Sequence, residues 1–596
     1  MSRSISSLIV CVLLVCACAL PSRAQETLPR SAFESVPLAE DPFLSRVDIS
    51  PFESIAVFHG GRLKSYESFA TEMVSYIAGR TLINDQPHSL TYLDMIFRPE
   101  RYIFSDTIYI KKKPIRARFA DALAADAPAI VSEPDLYPGA QDASVEQRRV
   151  WLEERIDTLM DTGMISERLL GTDAGFRVVQ DLSRDLIRTA KAANQIRNAQ
   201  GLKDPEVLVA QLAVIPPRSG AKDQPWFTTN ELFGASAATE IDLDQRTLSD
   251  LRSQWSALAV AWQSGDAMGV NRSLEQLGAT LPTIAPQLYP KSSRLEWETW
   301  YFKSYHMTWV WLIYLMAVVF LLLSVVYKWP TARFLGLGTF VVAFGFHTFA
   351  IWLRWYISGR WPNTNMFEAV TTSVWFGAAL ALGIELFARK SSMRNLFALT
   401  ASVASMAAMM AAYYLPQLDP SINNMMPILH DLWLYIHTNV IIASYALIAM
   451  AAVPAFLYVV RRVFGGSADY AKVGGAATFL DERTKGSKAS HKASSLGEVC
   501  DGATMVLLEL AFVMLWAGLV MGAIWADHSW GRPWGWDPKE VFALNTFLVF
   551  LILIHVRLKA KDKGLWTALL ALAGAGVMLF NWIVINFVIT GLHSYA

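Results

Sequence analysis

Eight long apolar runs crowd the second half of this chain, near residues 307–327, 334–354, 366–387, 395–413, 437–460, 503–525, 541–558 and 566–590. Hydrocarbon offers no partner to a bare N–H or C=O, so such runs fold as membrane-spanning helices. Each approaches the roughly 20 residues that cross about 30 Å of hydrocarbon. The predicted fold class is a polytopic α-helical membrane protein with about eight transmembrane helices, preceded by a mixed, mainly helical extracytoplasmic domain. Composition agrees, with 53% hydrophobic and 17% charged residues among 596. A formal net charge of zero excludes a general nucleic-acid binder, and no nucleic-acid partner is expected.

The chain divides at about residue 300. Residues 1–24 read as a secretory signal peptide, with Arg3, the apolar stretch LIVCVLLVCACAL and a small-x-small site at Ser22-Arg23-Ala24. A lipoprotein site at Cys18 and an uncleaved anchor are the alternatives. Three of the four cysteines fall there, leaving Cys500 and no C-x-x-C, so any thiol chemistry must draw on a partner's thiols. Residues 25–300 contain no further spanning run and form the predicted extracytoplasmic domain. Within it, SIAVFHGGRLKSYE predicts a hairpin turning at Gly60-Gly61, and YIFSDTIYIKKK another strand. A helix is expected from Ser144, with Gln147 completing a capping box, Gly163 as its stop, and Trp151, Leu152, Ile156, Leu159 and Met160 as its apolar face. DLSRDLIRTAKAANQIR and LSDLRSQWSALAVAWQSG also read as helices, and residues 201–230 as a loop. His59 and His88 are isolated and read as surface or loop residues, and this half carries no catalytic motif.

Charge orients the membrane domain, residues 301–596. If the first half is exported, the loops at 328–333, 388–394, 461–502 and 559–565 face the cytoplasm. With their helix ends they carry sixteen Lys and Arg, against four on the opposite side. The stretch Trp525 to Glu540, WADHSWGRPWGWDPKE, then becomes an extracytoplasmic loop with four tryptophans in sixteen residues. Interfacial anchoring accounts for one or two of them; four point to an aromatic surface for a flat ligand. The same topology puts His437 and His593 at the level of this loop, and two histidines at one depth suit bis-histidine ligation of haem iron. His555 lies deep in the seventh run, and an ionisable residue there marks a functional site. His347, the other buried histidine, sits at a different depth and reads as structural. His430 is off the pattern and His528 reads as solvated. Asp537, Pro538 and Glu540 have the order of a helix start, as do Asn365 and Glu368. Arg354, Arg360 and Arg532 face outward as surface residues or as partners for carboxylates.

WGRPWGWDPKE, WLYIHTNVIIASYA, GLHSYA and LILIHVR together resemble the CcsA (ResC-like) family of tryptophan-rich "WWD" haem-handling proteins, over roughly residues 335–596. The resemblance implies that His437 and His593 are axial ligands of external haem b. It implies a haem surface at the WWD loop 525–540 with Trp530, Trp534, Trp536 and Asp537, and a role for His555 as a transmembrane haem ligand. It further implies a bacterial cytoplasmic (inner) membrane location and a CcsB/ResB-like membrane partner supplying the second transmembrane histidine. The implied activity is that of a cytochrome c synthase subunit, which attaches haem to the C-x-x-C-H thiols of apocytochrome c. Two other classes stay open: a haem exporter or chaperone without ligation activity, and a non-haem transporter or scaffold. A short likeness of HGGRLKSYESFATE to the extracytoplasmic segment of fused cytochrome c synthases suggests docking of a partner.

Overall fold

Eight helices are long and apolar enough to cross a membrane: α1 Tyr305–Tyr327, α2 Pro330–Ser358, α3 Met366–Ala388, α4 Leu396–Tyr414, α5 Leu432–Val463, α6 Leu496–Trp530, α7 Pro538–Lys559 and α8 Lys563–Ile585. The chain is a multi-pass helical membrane protein, as its apolar runs predict. The computed structural model describes residues 36–587 and 589, apart from 80, 134–143, 187, 219–223, 235–240, 242, 390, 426–428, 473–494 and 588. The expected signal at 1–24, and His593, lie outside the described residues.

The helices outrun their apolar cores. α5 and α6 have 32 and 35 residues, roughly 50 Å at 1.5 Å per residue, against a hydrocarbon layer of about 30 Å. Polar end turns add backbone hydrogen bonds, which hydropathy alone does not register. This corrects the loop at Trp525–Glu540. Nothing in Trp525-Ala-Asp-His-Ser-Trp530 breaks a helix, and α6 continues until Gly531 adopts φ 67° and its N–H caps Asp527 O at 2.8 Å. The loop is therefore residues 531–537. α7 then starts as predicted: Asp537 is the N-cap, Pro538 the first residue, and Glu540 returns a hydrogen bond to the Asp537 N–H. Asn365 likewise caps α3, accepting from the Glu368 N–H at 2.8 Å.

Close approach of α5 and α6 depends on two glycines four residues apart. A Cβ on Gly518 would lie 2.5 Å from Ile441 Cδ1, and one on Gly522 would lie 2.6 Å from His437 Cε1. Small residues at this spacing let two helix backbones pack closely where no hydrophobic force drives them together.

The chain forms two compact units, Met1–Asp41 with Arg98–Lys203, and Pro42–Phe97 with Asp204–Ala596. In the first, β3 Asp106–Tyr109 pairs antiparallel with β4 Met164–Ser166. The helix Val145–Thr162 has the predicted Ser144–Gln147 capping box and the Gly163 stop. Trp151, Leu152 and Leu159 are buried, but Met160 is 40% exposed. At 100° per residue Met160 lies about 80° beyond Leu152, past the edge of the buried stripe. The single helix expected over 181–197 is two, Asp173–Arg184 and Ala190–Leu202. Between them the Asp185 carboxylate accepts from the Arg188 N–H at 3.0 Å, a local bond that competes with helix continuation.

In the second unit, β1 Ala56–His59 and β2 Arg62–Ser65 form the predicted hairpin, with Gly60 and Gly61 both at positive φ. The loop expected over 201–230 contains regular elements. It contains the helix Pro205–Gln211, β5 Ala213–Ile215 paired with β6 Phe227–Thr228, and the start of the helix Thr229–Phe233. Pro205 occupies the first helical turn, where its missing N–H costs nothing.

His88 opens the helix His88–Phe97, with Nε2 buried and unbonded. Burial pulls its pKa down to about 4. The unfolded chain binds this proton near pH 6.5 and the folded chain does not. The contribution of His88 to stability is thus complete above pH 6.5 and is lost as pH falls toward 4. Stability should drop by about 3 kcal/mol across that window. In His88→Asn, thermal melts between pH 7 and 4 should be flatter; an unchanged pH slope would contradict the assignment.

Candidate functional site

The ends of α3, α5, α6, α7 and α8 enclose a cavity of about 1440 Å³, including its open mouth. Its walls are largely apolar and aromatic: Met366, Ile441, Ile442, Leu519, Trp525, Trp534 and Trp582 among others. A few polar groups, including Asn365, Thr438, Asn581 and Lys539, are set into them. That pattern of apolar surface with sparse polar groups is typical of a small-molecule site.

His437 lies in the second turn of α5 and lines this cavity. Its Nδ1–H donates to Gly518 O on α6 at 2.7 Å. A ring that donates from Nδ1 carries its lone pair on Nε2, and a backbone carbonyl in this position is the usual outer support of a metal-bound histidine. The ring fits beside α6 because residue 522 has no side chain. The Gly-x-x-x-Gly spacing at 518 and 522 is the sequence signal for this histidine's setting.

The tryptophans do not form one plate. Trp525 and Trp530 meet at 63° with centroids 5.0 Å apart, and Trp534 and Trp536 at 85° and 6.1 Å. Of the three tryptophans predicted for the site, Trp534 lines the cavity; Trp530 packs on Trp525, and Trp536 is 74% exposed. Trp525 and Trp582 take the other wall positions. A π turn, Asn581–Ile585, ends α8 and places Asn581 and Trp582 there. Asn581 donates to Tyr445 OH at 2.9 Å, and the Trp582 ring stands at 86° to Tyr445. Such π turns are frequent at functional sites. Asp537 is buried as the α7 cap.

The outward arginines are corrected. Arg354 is 1% exposed. Its Nε donates to Glu368 Oε1 at 2.9 Å, while Arg360 Nη1 donates to Glu368 Oε2 at 2.9 Å. Their remaining donors hold the loop before α5. Arg354 binds Pro420 O at 2.9 Å and Ser421 O at 3.0 Å, and Arg360 binds Asn423 O at 3.0 Å. Arg62 of the β1–β2 hairpin binds Ile422 O at 2.7 Å and is itself paired with Glu298 at 2.6 Å. Four successive carbonyls, 420 to 423, are thus each held by an arginine. Two residues on, Met425 enters the cavity wall. Sequence alone hid this cluster because its members are separated by up to 361 positions. Arg532 is exposed, as expected.

His555 is exposed on α7, and its Nδ1–H donates to Leu551 O at 2.8 Å. His347 is fully buried, with Nδ1 at 3.2 Å from Tyr314 OH. His430 and His528 are exposed. His59 is not an isolated surface residue: it packs on Phe69 with centroids 5.2 Å apart, and its Nδ1 lies 3.5 Å from Lys64 Nζ.

A multi-pass helical bundle whose helix ends enclose an apolar cavity, with a histidine and tryptophans in its wall, defines a polytopic membrane protein with a candidate small-molecule site. Residues 363–593 match the family described as cytochrome C assembly protein. The chain is 30% identical over 261 residues to cytochrome c biogenesis protein CcsA of Prochlorococcus marinus (strain NATL1A), covering 42% of this chain and 81% of that protein. It is 30% identical over 266 residues to CcsA of Synechococcus elongatus, covering 41% and 81%. It is 35% identical over 256 residues to protein NrfI of Wolinella succinogenes, covering 43% of this chain and a quarter (25%) of NrfI. The chain belongs to the cytochrome c assembly family, as a CcsA-like member.

Proposed function

We propose that this protein binds haem b in the cavity, presents it on the extracytoplasmic face, and takes part in its covalent attachment to apocytochrome c. The observation that carries the reading is His437, held through Nδ1 by Gly518 O in the wall of an apolar aromatic cavity. His593 supplies the second axial ligand. Trp525, Trp534 and Trp582 flank the ring and exclude water. Each thioether forms when an apocytochrome thiol adds across a haem vinyl, the sulfur to one carbon and a proton to the other. The thiols of C-x-x-C-H come from the substrate, since beyond residue 24 this chain has only Cys500, which is buried. The protein's contribution is to fix the tetrapyrrole so that the thiols meet the vinyls, and orientation of this kind is a large rate effect.

The positive-inside count supports an orientation in the cytoplasmic membrane with residues 25–300, the 531–537 loop and the C-terminus outside. His555 supports a second, transmembrane haem site. It faces out of the bundle, its Nδ1 is occupied by Leu551 O, and His347 is turned to Tyr314. A CcsB/ResB-like subunit supplies the other ligand at that exposed face.

The test is expression with such a partner and a C-x-x-C-H apocytochrome in a host lacking its own maturation system. Covalent cytochrome c, detected by haem stain after denaturing electrophoresis, is expected. Stable haem binding without covalent product would make the protein a haem chaperone, and absence of a Soret band from the purified protein would remove the haem reading.

A further inference from the structure

Lys539 is the second residue of α7 and lines the cavity with its side chain partly buried. Its backbone N–H is fastened to the Asp537 carboxylate at 3.3 Å, which fixes where the side chain starts. Among the described residues its ammonium makes no ion pair within 4 Å, and the opposite charge that acts on it is the Asp537 carboxylate. The neighbouring acids have other work: Asp537 caps α7, and Glu540 Oε2 accepts from the Gly535 and Asp537 N–H groups at 2.9 and 3.2 Å. The arginines expected to meet ligand carboxylates are also engaged, Arg354 and Arg360 by Glu368 and the 420–423 carbonyls. Among the described residues that line the cavity, Lys539 is the one Lys or Arg, next to the carboxylate of Glu540. An ammonium beside apolar surface is costly unless an anion joins it there.

We propose that Lys539 receives a propionate carboxylate of the bound tetrapyrrole and so sets its orientation beneath His437. The proposal rests on reading the cavity as a haem site. An ammonium is a compact point charge with three donors, suited to one carboxylate oxygen pair without the planar fork that arginine imposes. A charge-assisted bond in a partly desolvated wall both binds and orients, whereas the iron–histidine bond alone leaves the ring free to turn about its axis. Fixing that angle determines which vinyl each thiol meets.

The test uses the purified full-length protein in detergent, titrated with ferric haem and with its dimethyl ester, in which both propionates are neutral. Wild type should bind the diester on the order of tenfold more weakly than haem, the size expected for one charge-assisted bond. Lys539→Met should bind both equally, near the diester level, and Lys539→Arg should restore part of the preference. If Lys539→Met keeps the wild-type preference, or wild type shows none, the assignment of Lys539 is overturned while the haem reading stands. If neither pigment gives saturable Soret binding to wild type, it is the haem reading that falls.

Discussion

His437→Ala is expected to abolish low-spin haem in the cavity, with the Soret and α bands shifting to those of a five-coordinate or loosely held pigment. Affinity should fall by more than about 100-fold, because loss of a ligand exceeds the 10- to 100-fold typical of losing its supporting hydrogen bond. The helix itself should be unharmed, since alanine is the best helix former. Covalent cytochrome c should fall in parallel, and added imidazole should restore part of the spectrum by occupying the vacated volume. Gly522→Ala approaches the same ring from α6. Its Cβ would stand 2.6 Å from Cε1 and 2.8 Å from Nδ1 of His437, so the imidazole must move and its bond to Gly518 O must break. A loss of about 10- to 100-fold is expected although residue 522 bears no ligand. Wild-type spectra in both variants would remove His437 from the site.

The second large effect lies away from the ligand. Glu368 is buried and accepts from Arg354, Arg360 and the Thr364 N–H and hydroxyl. Removing one partner of a buried ion cluster leaves the others unpaired, at about 3–5 kcal/mol. Glu368→Ala should therefore lower the thermal unfolding midpoint of the solubilised protein substantially. It should also loosen the 420–423 carbonyls, since the arginines that grip them lose their counter-charge. Haem affinity should fall together with stability, because the same loop carries Met425 into the cavity wall. Glu368→Gln, which keeps the shape and one acceptor, should be milder in both measurements. An unchanged melt in Glu368→Ala would show that the cluster is not what anchors the loop.

Legibility followed the range of the interactions concerned. The caps at Ser144, Asn365 and Asp537 and the Gly60-Gly61 turn were readable because each is closed by residues within four positions. The continuation of α6 through Trp530 was missed because a tryptophan-rich, polar segment at a membrane surface looks like a loop by composition. Helix propagation responds instead to the next breaker, Gly531. The break at Asp185 was missed for the converse reason, since a side-chain bond ended a segment whose composition was helical.

By itself the sequence determined the number of spans, their helical form and the family, because these rest on local apolar length, on the cost of bare backbone in lipid and on short motifs. It also singled out His437. Only the tertiary structure decided that this histidine is backed by Gly518 O and that its neighbours in the wall are Trp525, Trp534 and Trp582. It alone showed that Arg354 and Arg360 serve Glu368 and a loop, while Lys539 lines the cavity. The reason is physical. Which donor meets which acceptor depends on helices brought together from positions up to hundreds of residues apart, and a buried charge takes the partner that packing brings to it.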